Sequence, residues 1–226
     1  MRISFLTVPV ELCALAALFV SPVSAQSPSL REEPLCVENS PERQGQFGCS
    51  IVETKTLPSG LPAPLFWHID RFATLDRARS AVGPTSMAFD AHGAFWLMSL
   101  ESQADSHHGG QHVAQIKLPP LPDVPRYSMR VLSAYIPSGM TSRVHFHSGV
   151  EAFYTVDGEQ CLQTAERAYS LRKGDSLALS AGVVMRVIAT GPTPRRAFGL
   201  IVYDSSKPST TRLPMDDASQ LISCPK

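Results

Sequence analysis

The sequence predicts an all-β chain, an antiparallel sandwich or jelly roll with an N-terminal arm and one short helix. Three observations predict it. Nineteen prolines and 14 glycines are spread along 226 residues, which breaks long helices and suits short strands joined by turns. From residue 127 onward, apolar-rich runs recur every 8 to 12 residues with a turn signal between them, as sandwich and jelly-roll strands do. Apolar residues make up 43% and charged residues 18%, enough for a sizeable core and unlike a disordered chain.

Residues 1–25 read as a cleaved leader: Arg2, an apolar run from Cys13 to Val20, then the small residues Val23-Ser24-Ala25 before the cleavage point. The run is shorter than the roughly 20 apolar residues a membrane helix needs. Glu11, two positions before Cys13, argues against a lipoprotein signal. The mature chain then begins at Gln26, in a periplasmic or secreted location. Residues 26–60 are polar and Pro-rich, an extended arm closed by a disulfide. Residues 61–125 form an N-terminal β segment. Its strands are read at Leu65–Ile69, Met87–Phe89, Ala94–Met98 and 113–118, with a turn at Asp90–Gly93. Thr74 caps a helix from Leu75 to Val82 that Gly83-Pro84 stops, and 103–112 is a polar loop. The barrel occupies 126–210, with strands at 127–136 and near 143–147, 151–156, 160–164, 168–171, 176–179, 184–189 and 196–203. Residues 211–226 are a C-terminal tail.

Composition narrows the function. The formal net charge is zero, from 20 basic and 20 acidic side chains. A nucleic-acid or anionic-membrane partner calls for a basic excess, so neither is expected. Of the basic residues 15 are Arg, and Asn39 is the only Asn, a skew that suits a GC-rich bacterial genome. Leader removal leaves Cys36, Cys49, Cys161 and Cys224, an even set in an oxidising compartment. Four cysteines allow three pairings. The simplest closes the local loop Cys36–Cys49 and ties the tail to the barrel through Cys161–Cys224, with Cys161 as a buried thiol the alternative. No spacing resembles a zinc C-x-x-C pair.

The residues that carry chemistry lie between Gly139 and Gly158. Alternation along a strand turns His145 and His147 to one side and Phe146 to the other. Ser148-Gly149 reverses the chain, and Glu151 returns to face the same interior. Two imidazoles and one carboxylate converging make a divalent-metal set. Arg143 and Phe153 share parity with these ligands and read as pocket-lining, Arg143 being either a partner for a substrate carboxylate or a solvated rim residue. His107, His108 and His112 form a His-rich surface loop, which nothing preorganises for metal. His68 and His92 read as core and turn residues.

Gly139, His145, His147, Glu151 and Gly158 fill every fixed position of the first cupin signature: glycine, five residues, His-X-His, three residues, Glu, six residues, glycine. The stretch therefore resembles the cupin superfamily, over roughly residues 126–204. The second cupin motif begins at Gly174 and keeps Gly182, but has Ser180 for Pro, Met185 for the fourth metal-binding His and Ala189 for Asn. The resemblance implies a cupin-type antiparallel β-barrel with one metal at its mouth. That metal is iron, manganese, zinc, nickel or copper, its identity open. Met185 is a weak or vestigial fourth position, read as barrel wall.

Three functions remain. One is a metal-dependent oxidoreductase, isomerase or lyase, dioxygenases included, acting on a small organic molecule. The alternative is a non-catalytic barrel binding a small ligand at a degenerate metal site. A storage role suits the single short barrel poorly. The resemblance also allows a homodimer.

Overall fold

A computed structural model describes residues 31–32, 36–38, 40, 45–104, 108–213 and 219–225. The leader and its cleavage point at Gln26 lie outside these residues, as does His107. The strands run β1 (Arg31–Glu32), β2 (Val37–Glu38), β3 (Gly48–Thr56), β4 (Phe66–Phe72), β5 (Ser86–Ala91), β6 (Ala94–Glu101), β7 (Gln111–Lys117) and β8 (Tyr127–Ile136). They continue with β9 (Met140–Thr141), β10 (His145–His147), β11 (Val150–Asp157), β12 (Glu159–Thr164) and β13 (Ala168–Arg172). The last four are β14 (Ser176–Leu179), β15 (Met185–Ala189), β16 (Arg195–Asp204) and β17 (Thr210–Arg212). One helix, α1 (Leu75–Ser80), interrupts them.

Three sheets result. The central sheet has the order β14-β11-β16-β8-β3-β2. A second sheet faces it across a cavity, ordered β1-β9-β15-β10-β17, with β12 beside β15 and β13 beside β12. These two are the halves of the jelly roll. The outer sheet, β5-β6-β4-β7, covers the other face of the central one.

Double burial explains the composition of the central strands. On β16, Phe198, Leu200 and Val202 join Met129, Val131, Val150 and Ala152 against Trp67, Ile69, Met87 and Trp96 of the outer sheet. Ala197 and Gly199, one residue out of phase, face the cavity. A strand buried on both faces reads as an unbroken apolar run rather than an alternation, as Ala197 to Tyr203 does. Phe198 meets Trp96 and Phe89 edge to face at 5.2 and 5.7 Å, a favoured aromatic geometry.

The structure departs from the sequence expectation in several places, among them the start of β7 at Gln111, inside the stretch 103–112 read as loop. Gly48–Thr56, read as arm, is a strand paired with β8 along its length. A bulge between Ile51 and Glu53 shifts its register and erases the alternation that reveals strands. Thr210–Arg212, two of whose residues were read as tail, pairs with β10; its polar sequence has little strand signal of its own. The helix stops at Ser80 because Ala81 and Val82 bond back three residues, to Ala78 and Arg79, which ends the α-helical ladder. Its start is as read, with Arg77 N–H donating to Thr74 Oγ1 at 3.3 Å.

Both expected disulfides are formed, Cys36–Cys49 and Cys161–Cys224. They close segments 13 and 63 residues apart, worth roughly 3 and 4 kcal/mol by loop-closure entropy. Among the described residues, no helix is long and apolar enough to cross a membrane.

His92 sits in the β5–β6 turn with φ of 53°, half-buried, near Ser133 Oγ at 3.2 Å and beside the Phe198 ring. Burial, helped by Arg196 and Arg195 and opposed by the Ala197 backbone, pushes its pKa down to about 4. An unfolded histidine binds its proton near pH 6.5. Between those values only the unfolded chain is protonated at this site, so stability rises with pH. Acidification from pH 6.5 to 4 should remove on the order of 2–3 kcal/mol through this group. His92→Asn, which tolerates positive φ, should flatten that part of the profile in denaturant titrations. An unchanged slope would show that other groups carry the acid sensitivity.

Candidate metal centre

The site is assembled where the chain crosses from one sheet to the other. Strand β10 carries His145 and His147 in the second sheet, paired with Arg212 and Thr210 of β17. After Ser148-Gly149 the chain enters the central sheet as β11, where Glu151 lies between Leu179 of β14 and Ile201 of β16. The imidazoles and the carboxylate therefore come from opposite walls of one cavity. Gly149 makes the crossing possible: a Cβ there would lie 1.9 Å from the Val202 carbonyl oxygen and 2.5 Å from Tyr203 Cα. Backbone hydrogen bonds hold the turn, from Ser148 to Ser209 O at 3.2 Å and from Gly182 to His147 O at 2.9 Å.

Backbone carbonyls around the rings set the tautomers. His145 Nδ1 donates to the Arg143 carbonyl at 2.7 Å, and His147 Nδ1 donates to the Ser209 carbonyl at 3.0 Å. A neutral imidazole whose Nδ1 carries the proton presents a lone pair at Nε2, so both rings are set as metal ligands. One ligand atom from each of His145, His147 and Glu151 lies within 4.8 Å of the others. His147 Nε2 stands 3.0 Å from Glu151 Oε2, but neither buried atom has a partner in hydrogen-bond geometry. Their separation is short and their directions do not meet, as expected for two groups aimed at a shared third point. On this test the residues fit a divalent ion. Among the described residues, no other group of His, Cys, Asp and Glu converges in this way.

The two imidazoles differ in their affinity for a proton. Burial lowers the His145 pKa, and neighbouring His147 lowers it further, against the pull of Glu151. Burial also works against protonated His147, but the Glu151 carboxylate and the Ser209 carbonyl outweigh it, so its pKa is raised.

The remaining expected site residues divide between the cavity and its surroundings. Phe153 is buried and lines the cavity of about 390 Å³ beside the ligands, while Arg143 is exposed at its edge, just before β10. Cys36 and Cys49 also line it, a placement their spacing gave no hint of. Cys161, on β12, lies away from it and ties down the segment around Cys224. Met185 is directly opposite His145 in register, fully buried and packed with Leu162, Leu171, Val187 and Phe153. The His-rich loop is better anchored than its composition suggests. His108 Nε2 is 2.5 Å from Glu101, and His112, on β7, is 3.1 Å from Asp70.

Sequence reading missed Arg130, Arg195, Tyr203, Ser209 and Arg212, all cavity residues. Parity held a signal for the first two. Arg130 shares a strand face with Leu132 and Ala134, and Arg195 with Ala197 and Gly199, so each is a charge on an inward face. Ser209 and Arg212 lay where the sequence shows no strand.

Residues 131–203 match the family model of the cupin domain. No curated protein matches the chain. Among solved structures, a cupin-like protein from Thermotoga maritima is 17% identical over 42% of this chain and 69% of its own, with a TM-score of 0.35. A cupin 2 domain-containing protein from Halorhodospira halophila is 20% identical over 42% of this chain and 63% of its own, at 0.34. Oxalate decarboxylase from Bacillus subtilis is 17% identical over 38% of this chain but only 24% of its own, at 0.33.

Two substitutions test this geometry. Gly149→Ala should destabilise the fold by about 2–4 kcal/mol, since backbone atoms cannot yield as a side-chain tip would; a melting temperature equal to wild type would contradict the close approach. Met185→Leu should cost less than about 1.5 kcal/mol and leave zinc affinity unchanged. Loss of zinc with the melting temperature retained would make Met185 a ligand.

Proposed function

We propose that this chain, whose residues 131–203 match the cupin domain, binds one divalent transition metal through His145, His147 and Glu151. We propose further that it is a metal-dependent enzyme acting on a small organic molecule, of the dioxygenase, isomerase or lyase type. One observation carries the reading. Two imidazoles have their Nδ1 protons committed to backbone carbonyls, and beside them a buried carboxylate oxygen lacks hydrogen-bond geometry to either ring.

A bound ion would supply Lewis-acid polarisation of a substrate oxygen at its open positions. The chain's own residues do the rest. The Arg143 and Ser209 carbonyls fix the rings, Phe153 and Val187 keep one wall dry, and the arginines around the cavity orient the substrate. Glu151 is the only carboxylate among the described lining residues.

The burial of Met185 in an apolar cluster favours a second reading, in which a three-ligand site serves a non-catalytic barrel that binds a small ligand. The two disulfides support an exported protein in an oxidising compartment, with the leader removed before Gln26.

Elemental analysis should find one metal per chain in the purified protein and almost none in His147→Ala, because two remaining ligands hold an ion poorly. Equal metal in both would refute the centre and turn attention to the histidines of the outer sheet. Stoichiometric metal without turnover on any small-molecule panel would favour the binding barrel.

A further inference from the structure

We infer that the cavity takes a small organic carboxylate, its charged end held by Arg130 and its body laid against the apolar wall. This substrate class depends on the metal-centre reading only for the chemistry after binding. The anion site itself is built from residues that ligate no metal.

The cavity is cationic on balance. Arg130, Arg143, Arg195, Arg212 and Lys207 line it, against the single carboxylate of Glu151. Lys207 is largely exposed and reaches Asp204 at 3.6 Å, and Arg143 is exposed at the edge. Arg195 is buried and donates to Gln160 Oε1 at 2.6 Å. Arg212 stands directly opposite His145 across the β10–β17 ladder.

Arg130 decides the class. Its Nε donates to Thr54 Oγ1 at 2.9 Å and one terminal nitrogen donates to Ser209 Oγ at 2.7 Å. Both acceptors are neutral hydroxyls, which orient a guanidinium without offsetting its charge. Among the described residues, no carboxylate lies within ion-pair distance of it. Guanidinium offers five donors in a planar fork, so most of the fork remains for a ligand, and a carboxylate matches it bidentately. Tyr203 presents its ring 5.7 Å from the guanidinium carbon. Ser209 joins this group to the metal centre: its hydroxyl accepts from Arg130 while its carbonyl accepts from His147. A carboxylate on Arg130 would therefore sit one residue from a metal ligand.

Volume and lining define the remainder of the molecule. About 390 Å³ is at the small end of ligand pockets. Ile51, Leu132, Phe153 and Val187 supply an apolar wall for a compact hydrocarbon or aromatic body.

Benzoate, benzamide and benzamidine share one shape and differ in charge, so calorimetric titration of the full mature chain, zinc-free and zinc-loaded, tests the idea. Benzoate should bind both forms at least about tenfold more tightly than benzamide, with benzamidine weakest. Arg130→Gln should abolish that preference while leaving benzamide affinity unchanged, and Arg130→Lys should restore part of it. Equal affinities for benzoate and benzamide, a preference for benzamidine, or no benzoate binding at millimolar concentration would each overturn the inference. So would benzoate affinity unmoved by Arg130→Gln. The three-ligand comparison on wild type needs no variant to fold. A wild-type protein that binds no zinc yet still selects benzoate would refute the metal centre and leave the anion site standing.

Discussion

Burial of the central sheet on both faces is the constraint on which the rest of the structure depends. Strand β16 gives alternate residues to two interiors, the aromatic core beneath the outer sheet and the wall of the cavity. Because the outer sheet takes one apolar face, the jelly roll does not need to fill its own interior to be stable. The cluster around Trp67, Trp96 and Phe198 is the largest hydrophobic core among the described residues. The cavity side is then free to carry small residues such as Ala197 and Gly199, and charged ones such as Arg130 and Arg195.

The same arrangement explains how polar ligands are held accurately. Glu151 is fixed by β14 and β16 on either side, within the best-buried layer of the molecule. His145 and His147 sit on a three-residue strand that has little stability of its own. Three ties compensate: β17 along one edge, β15 at Met185, and two Nδ1 hydrogen bonds to backbone carbonyls. Ser209 belongs to this support, since it serves His147 with its carbonyl and Arg130 with its hydroxyl. His145, His147 and Glu151 are thus each fixed by neighbouring strands.

Much of the fold was legible in the sequence, and the reasons are local. Residues Tyr127–Ile136, 176–179 and the β5–β6 hairpin announce themselves by apolar runs and turn residues. His145, His147 and Glu151 could be brought together by strand parity and one turn, and the even set of cysteines led to the simplest pairing. What escaped depended on tertiary pairing. Gly48–Thr56 has its alternation broken by a bulge, and Thr210–Arg212 is polar and becomes a strand only beside β10. With β17 hidden, its residues Thr210 and Arg212 and neighbouring Ser209 were hidden too. Arg130 was missed for a different reason. Its parity was readable, but a single inward charge gains meaning only when the cavity it faces is known.

X-ray absorption at the zinc edge of the loaded protein tests the central claim most directly, because it reports the atoms bound to the ion. A three-ligand centre requires two imidazole nitrogens and one carboxylate oxygen at about 2.0–2.2 Å, with no sulfur bound to the ion. His145→Ala should remove one imidazole from that spectrum. A sulfur contribution would bring Met185 into the coordination sphere, and a spectrum unchanged in His145→Ala would place the ion elsewhere. Either result would contradict a centre built from His145, His147 and Glu151 alone.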